Sequence, residues 1–161
     1  MSQEYFEPTG PWESELTELQ QRRHQARQMG GPEAVAKYKA RGRQSARERI
    51  DMLLDAGSFR EMGRITGKAR YDADGRFESL SPVNAIMGTG RINGRKLVVS
   101  ADDYTIRAGS SEGSLSDKWV YAERMALALR MPIVRLVDTA GGSVKLLAQM
   151  QERAGLARAL A

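Results

Sequence analysis

Hydrophobic and polar positions fall into two textures along the chain. From residue 13 to about 55 apolar residues are sparse and helically spaced. The stretch ESELTELQQRRHQARQMGG predicts a helix that stops at Gly30-Gly31, with Pro32 at the start of the next one. In PEAVAKYKARGRQSARERIDMLLDAGS the helical pattern breaks at Gly42, resumes after Ser45 as an N-cap, and ends at Gly57. Ile50, Leu53 and Leu54 then share helical spacing and need a cover. We therefore place a helical arm at 1–57 and a second unit at 58–161.

From Phe59 the texture changes to short β-like runs punctuated by Gly and Asp. YDADGRFESLSP, residues 71–82, reads as an exposed loop. NAIMGTGRINGRKLVVSADD predicts a hairpin turning at Asn93-Gly94, a pair that tolerates the positive φ of a type I′ turn. LSDKWVYAERMALALRMP is the clearest helix, its apolar face formed by Trp119, Ala122, Met125, Ala126 and Leu129, with Pro132 just past its end. IVRLVD (Ile133 to Asp138) then suits a parallel strand reached by a right-handed crossover from Leu97–Ser100. AGGSVKLL starts a further helix at the carboxyl end of that strand, and the outer edge of such a sheet is expected to be exposed.

Composition narrows the class without choosing a function. At 161 residues, 41% hydrophobic and 28% charged, the chain has room for one modest core. It has no Cys, which removes disulfides and thiolate metal sites, and no metal is expected. The opening MSQEYFEPTG lacks a secretory pattern and no apolar run approaches a bilayer span, so the expected location is the cytoplasm, with no membrane partner. A net charge of +5 suits an anionic partner. The basic runs RRHQAR and KYKARGR have acids interleaved nearby and no nucleic-acid motif, so they read as solvated helix faces.

The informative chemistry is in DTAGGSVKLL. Backbone N–H groups of Gly141 and Gly142, at the mouth of a strand and the first turn of a helix, could receive an oxyanion or a thioester carbonyl. From spacing alone the same glycines equally make a tight turn. Upstream, DDYTIRAGSSEG offers Arg107 for a phosphate and Ser110 and Ser111 as donors, or is an ordinary polar loop. GTGRING leads into a strand rather than a helix, which removes a dinucleotide reading. His24, the only histidine, has no partners for a triad or metal site. Asp102-Asp103 and the pair Asp72/Asp74 read as turn-forming acids, and Met125, Met131 and Met150 as core filling.

Taken in order, ARERIDMLLDAGSFREMG, GTGRINGRKLVVSADDYTIRAGSSEG, WVYAERMALALRMPIVRLVD and AGGSVKLL resemble the carboxyltransferase (beta) subunits of propionyl-, methylcrotonyl- and related biotin-dependent acyl-CoA carboxylases, over roughly residues 33–150. The resemblance implies an α/β crotonase-like fold of ββα units, incomplete here, behind the helical arm. It also implies transfer of a carboxyl group from carboxybiotin to the α-carbon of an acyl-CoA. By resemblance Gly141 and Gly142 supply the oxyanion hole for the acyl-CoA enolate, and Arg107, Ala108, Gly109, Ser110 and Ser111 line the coenzyme A cleft. The biotin cofactor would be carried on a partner, a biotin carboxylase or biotin carboxyl carrier subunit, since no P-loop and no biotinyl-lysine motif is present. Full-length members would form homo-oligomers.

Two departures qualify the match. Thr139 and Ala140 precede the glycine pair where many relatives have glycines directly after the Asp, so either glycine could be the donor. The chain also reads as an N-terminal fragment whose tail QERAGLARALA leaves the family pattern, so the isolated chain is expected to be inactive. The competing reading is a non-catalytic paralogue that binds carboxylase subunits. A crotonase-type hydratase or isomerase is weaker, because paired Glu residues are missing near the glycines.

Overall fold

A computed structural model describes residues 10–110, 117–141 and 148. Three helices come first: α1 (Glu13–Arg27), α2 (Pro32–Lys39) and α3 (Ala46–Leu53). Strands β1 (Arg60–Met62), β2 (Gly67–Tyr71), β3 (Phe77–Pro82), β4 (Ala85–Ile92) and β5 (Arg95–Asp102) follow, then helix α4 (Asp117–Ala128) and strand β6 (Ile133–Leu136). Ser45 caps α3 through a full capping box: its hydroxyl accepts from the Glu48 N–H at 3.3 Å, and the Glu48 carboxylate accepts from the Ser45 N–H at 2.9 Å.

A four-stranded sheet in the order β1-β4-β5-β6 forms the centre. β4 and β5 are antiparallel about a turn at Asn93-Gly94, both with positive φ. The Asp55 carboxylate accepts from both turn N–H groups, at 2.8 Å each. β5 and β6 are parallel, from Val98↔Ile133 to Ala101↔Leu136, with α4 as the crossover. Among the described residues β6 pairs with β5 alone, at one end of the strand order.

Alternation along β5 feeds two cores. Leu97, Val99 and Ala101 point to one face, where Ala46, Ile50 and Leu54 of the α3 segment join Ile86. Val98 and Met87 point to the other, against Ala122 and Ala126 of α4. Val98, Val99 and Ala101 are fully buried, and each valine contributes on the order of 2 kcal/mol by leaving water. The sheet face carrying Leu97, Val99 and Ala101 is thus the cover that Ile50 and Leu54 required.

Two expectations change. Residues 71–82 are not a loop: β2 and β3 pair antiparallel from Gly67↔Pro82 to Tyr71↔Phe77, and the turn between them is held by Asp72 Oδ1, which accepts from the N–H groups of Asp74 and Arg76. The reason is long-range, because α1 covers this hairpin. Gln25 Oε1 accepts from the Leu80 N–H, and the Arg22 guanidinium lies over the Tyr71 and Phe77 rings at 5.6 and 5.2 Å. On α4, Ala122 and Ala126 face the sheet as expected, with Met125 packed beside them, but Leu129 is 56% exposed. The helix ends at Ala128, and Arg130 turns into the left-handed region at φ 50°, which swings Leu129 outward.

Candidate functional site

Parallel strands deliver their following loops to one end of a sheet, and that is where ligands of α/β folds gather. Here β5 leads into residues 103–110 and β6 into residues 137–141. The first loop is unusual. Arg107, Ala108 and Gly109 all have positive φ, 50°, 53° and 65°, and two of the three are residues with a Cβ, a backbone strain that concentrates at functional sites. Both ends of the loop are tied to Asn84, which is almost fully buried. Its carbonyl oxygen accepts from the Asp103 N–H at 2.9 Å, and its side-chain amide donates to the Ser110 carbonyl at 2.6 Å.

The two loops touch. The Ala140 N–H donates to the Ala108 carbonyl at 2.9 Å, and the Thr139 hydroxyl donates to the Gly109 carbonyl at 2.8 Å. A Cβ at Gly109 would overlap the Asp138 carbonyl oxygen, so only glycine allows this approach. The structure therefore brings Ala108 and Gly109 together with Thr139, Ala140 and Gly141.

The individual candidates separate. Gly141 has φ 96°, and its N–H donates to Thr139 Oγ1 at 3.0 Å, within its own turn. A thioester oxygen at that N–H would have to displace the hydroxyl. Among the described residues, none accepts from the Ala108 N–H. Arg107 is exposed on the rim of a cleft of about 810 Å³ between the α1–α2 turn, the β2–β3 hairpin and Thr105–Arg107. Lys68 is a second cation lining that cleft, and no Asp or Glu among the described residues lines it. Ser110 is buried and offers its carbonyl to Asn84 rather than facing outward. Ser111 and Gly142 lie outside the described residues.

Charged residues that spacing could not single out support these loops. Asp103 is buried; one carboxylate oxygen accepts from the Thr105 N–H at 3.0 Å and hydroxyl at 2.6 Å, while the other has no partner among the described residues. Burial pushes its carboxyl above the usual range, against the pull of Thr105, Arg47 and Arg49. Gly30 N–H donates to the same Thr105 hydroxyl at 3.0 Å, tying the α1–α2 junction to the loop. Lys118 is also buried, donates to the Gly63 carbonyl at 2.9 Å, and is held down to about 8, mainly by burial. Glu61 nearby is opposed by burial, yet the guanidinium groups of Arg47 and Arg64 hold its carboxyl below the usual range. The turn-former reading of Asp102-Asp103 thus missed their burial, which only the tertiary fold creates. Among the described residues no three acids or histidines converge as a metal site, and no helix is long and apolar enough to cross a membrane. His24 is exposed, beside Gln28.

Comparison with known proteins agrees with this architecture. The carboxyl transferase domain model matches residues 37–159. The propionyl-CoA carboxylase beta chain of Saccharopolyspora erythraea is 34% identical over 137 residues, 81% of this chain and 24% of that protein. A probable mitochondrial methylcrotonoyl-CoA carboxylase beta chain of Drosophila melanogaster is 32% identical over 144 residues, 89% of this chain and 24% of its own length. Among solved structures, transcarboxylase 12S with methylmalonyl-coenzyme A and methylmalonic acid bound superposes with a TM-score of 0.70 at 27% identity, over 86% of this chain and 27% of the other. This chain therefore spans about a quarter of the length of the curated relatives it matches. The strand order, the ββα crossover and these neighbours make the fold crotonase-like, and the chain belongs to the carboxyl transferase domain family.

Proposed function

We propose that this chain carries the acyl-CoA half of a carboxyltransferase site, with the thioester carbonyl held between the loops that follow β5 and β6. The observation that carries the reading is the junction of Ala108–Gly109 with Thr139–Gly141 at the carboxyl ends of two parallel strands. Loss of the α-proton of an acyl-CoA puts negative charge on the thioester oxygen. Fixed N–H donors stabilise that charge, and one such donor is worth about 2.7–4 kcal/mol in rate. Ala108 N–H is the donor that the described residues leave available. Gly141 N–H becomes the second once the oxygen takes the place of the Thr139 hydroxyl, and Gly142 remains the alternative in that register. The cleft with Arg107 and Lys68 would take the phosphorylated end of coenzyme A, by charge.

When bound, carboxybiotin supplies the carboxyl group that the enolate accepts. A biotin-carrying partner, assembly with further copies, and a cytoplasmic location belong to the same proposal.

Isothermal titration of the full chain tests it. Propionyl-CoA should release heat, coenzyme A should bind more weakly, and inorganic phosphate should give no saturable signal. Equal binding of propionyl-CoA and coenzyme A would remove the thioester from the account.

A further inference from the structure

We infer that Tyr38 and Arg49, from the helices that precede the sheet, are positioning residues that hold the two carbonyl-binding loops in register through Asp138. The inference rests on the proposed thioester site and adds residues to it that lie outside both loops.

Asp138 is the first residue after β6 that engages both the arm and the partner loop. Its side chain is only 13% exposed. The Tyr38 hydroxyl, 100 residues away in sequence, donates to Asp138 Oδ2. Arg43 approaches Oδ1 at 3.5 Å, and Arg49 approaches Oδ2 at 3.6 Å. Tyr38 is itself buried and stacked on Tyr104 of the first loop, ring centroids 5.4 Å apart. One tyrosine thus grips the second loop by its hydroxyl and the first by its ring.

Arg49 joins the strand ends directly. Its guanidinium donates to the Asp102 carbonyl at 2.6 Å and to the Leu136 carbonyl at 3.4 Å, the last residues of β5 and β6. Asp102 returns the link, since its carboxylate accepts from the Asp138 N–H at 3.2 Å. A planar fork is needed to reach two carbonyls and a carboxylate together, which Lys cannot reproduce. Movement of either side chain would therefore be felt at the strand ends and where Ala140 meets Ala108, not at Val98 and Val99 in the middle of β5.

Amide hydrogen exchange on the full chain, read residue by residue, decides the matter. Tyr38→Phe removes only the hydroxyl, and Arg49→Lys keeps the charge without the fork. Each should speed exchange at the Ala140 N–H by roughly tenfold while Val98 and Val99 keep their rates. Each should also weaken propionyl-CoA binding more than coenzyme A binding. Unchanged exchange at Ala140 would overturn the inference, and so would a uniform rise at Val98, Val99 and Ala140, which is global destabilisation. If the unaltered chain binds no thioester, the proposed site fails and the exchange pattern alone decides whether Tyr38 and Arg49 set the loops.

Discussion

The Thr139 hydroxyl donates to the Gly109 carbonyl at 2.8 Å and accepts from the Gly141 N–H at 3.0 Å. One side-chain oxygen thus joins the two loops and occupies the donor expected to bind substrate. Thr139→Val removes both bonds while keeping the branched shape. Stability should fall by about 1 kcal/mol, read as a lower urea midpoint with an unchanged slope, and Thr139→Ser should stay near the parent value.

Gly109 meets Asp138 backbone to backbone, at φ 65°. Gly109→Ala adds a Cβ that must push the second loop away and strains a left-handed residue, at a cost of about 2–4 kcal/mol. Thermal unfolding should show this as a clear drop in Tm, and propionyl-CoA binding should be lost in whatever protein remains folded.

Lys118 gives a pH signature. Its folded pKa of about 8 lies below the ordinary lysine value of 10.5. Between these values the unfolded chain binds more protons, so this group's contribution makes stability rise with pH from about 8 to 10.5. The gain is about 3 kcal/mol at most. It is complete above the unfolded value and lost as pH falls through 8. Lys118→Met should flatten that window in urea titrations at successive pH values, and a parent curve already flat from pH 8 to 10.5 would contradict the assignment.

Glu61 has a side chain 4% exposed, paired with Arg47 at 2.9 and 3.1 Å and with Arg64 at 3.0 Å. Arg47→Met leaves that carboxylate buried with Arg64 as its remaining partner, and should cost about 1.5–3 kcal/mol. The double variant Arg47→Met with Glu61→Gln should recover part of the loss in the same denaturation assay. Burial, with Arg47 adding to it, holds the Lys118 pKa down, so removal of Arg47 should raise the lower edge of the Lys118 window and shrink the stability gain across it.

Local features were legible in the sequence where a single residue sets the geometry. The Ser45 cap, the Asn93-Gly94 turn, the α4 stripe through Ala122 and Ala126, and the β-branched run of β6 all follow from nearest neighbours. The β2–β3 hairpin was not legible, because its partner α1 lies some 50 residues earlier in the chain. The geometry of the candidate site was legible only in part. The glycine motif marked the turn after β6, but the left-handed Arg107–Ala108–Gly109 segment carries only one glycine, and no spacing announces the Thr139 bond that engages Gly141. Tyr38 was hidden for the same reason as α1, since its value arises at Asp138, far along the chain.

The most direct test of the carbonyl site is a nitrogen–proton correlation spectrum of the labelled chain titrated with propionyl-CoA. The N–H signals of Ala108 and Gly141 should move downfield together and saturate at one ligand concentration, while those of Asn93 and Gly94 at the opposite end of β4 and β5 stay fixed. Saturable binding that leaves both Ala108 and Gly141 unmoved would contradict the account.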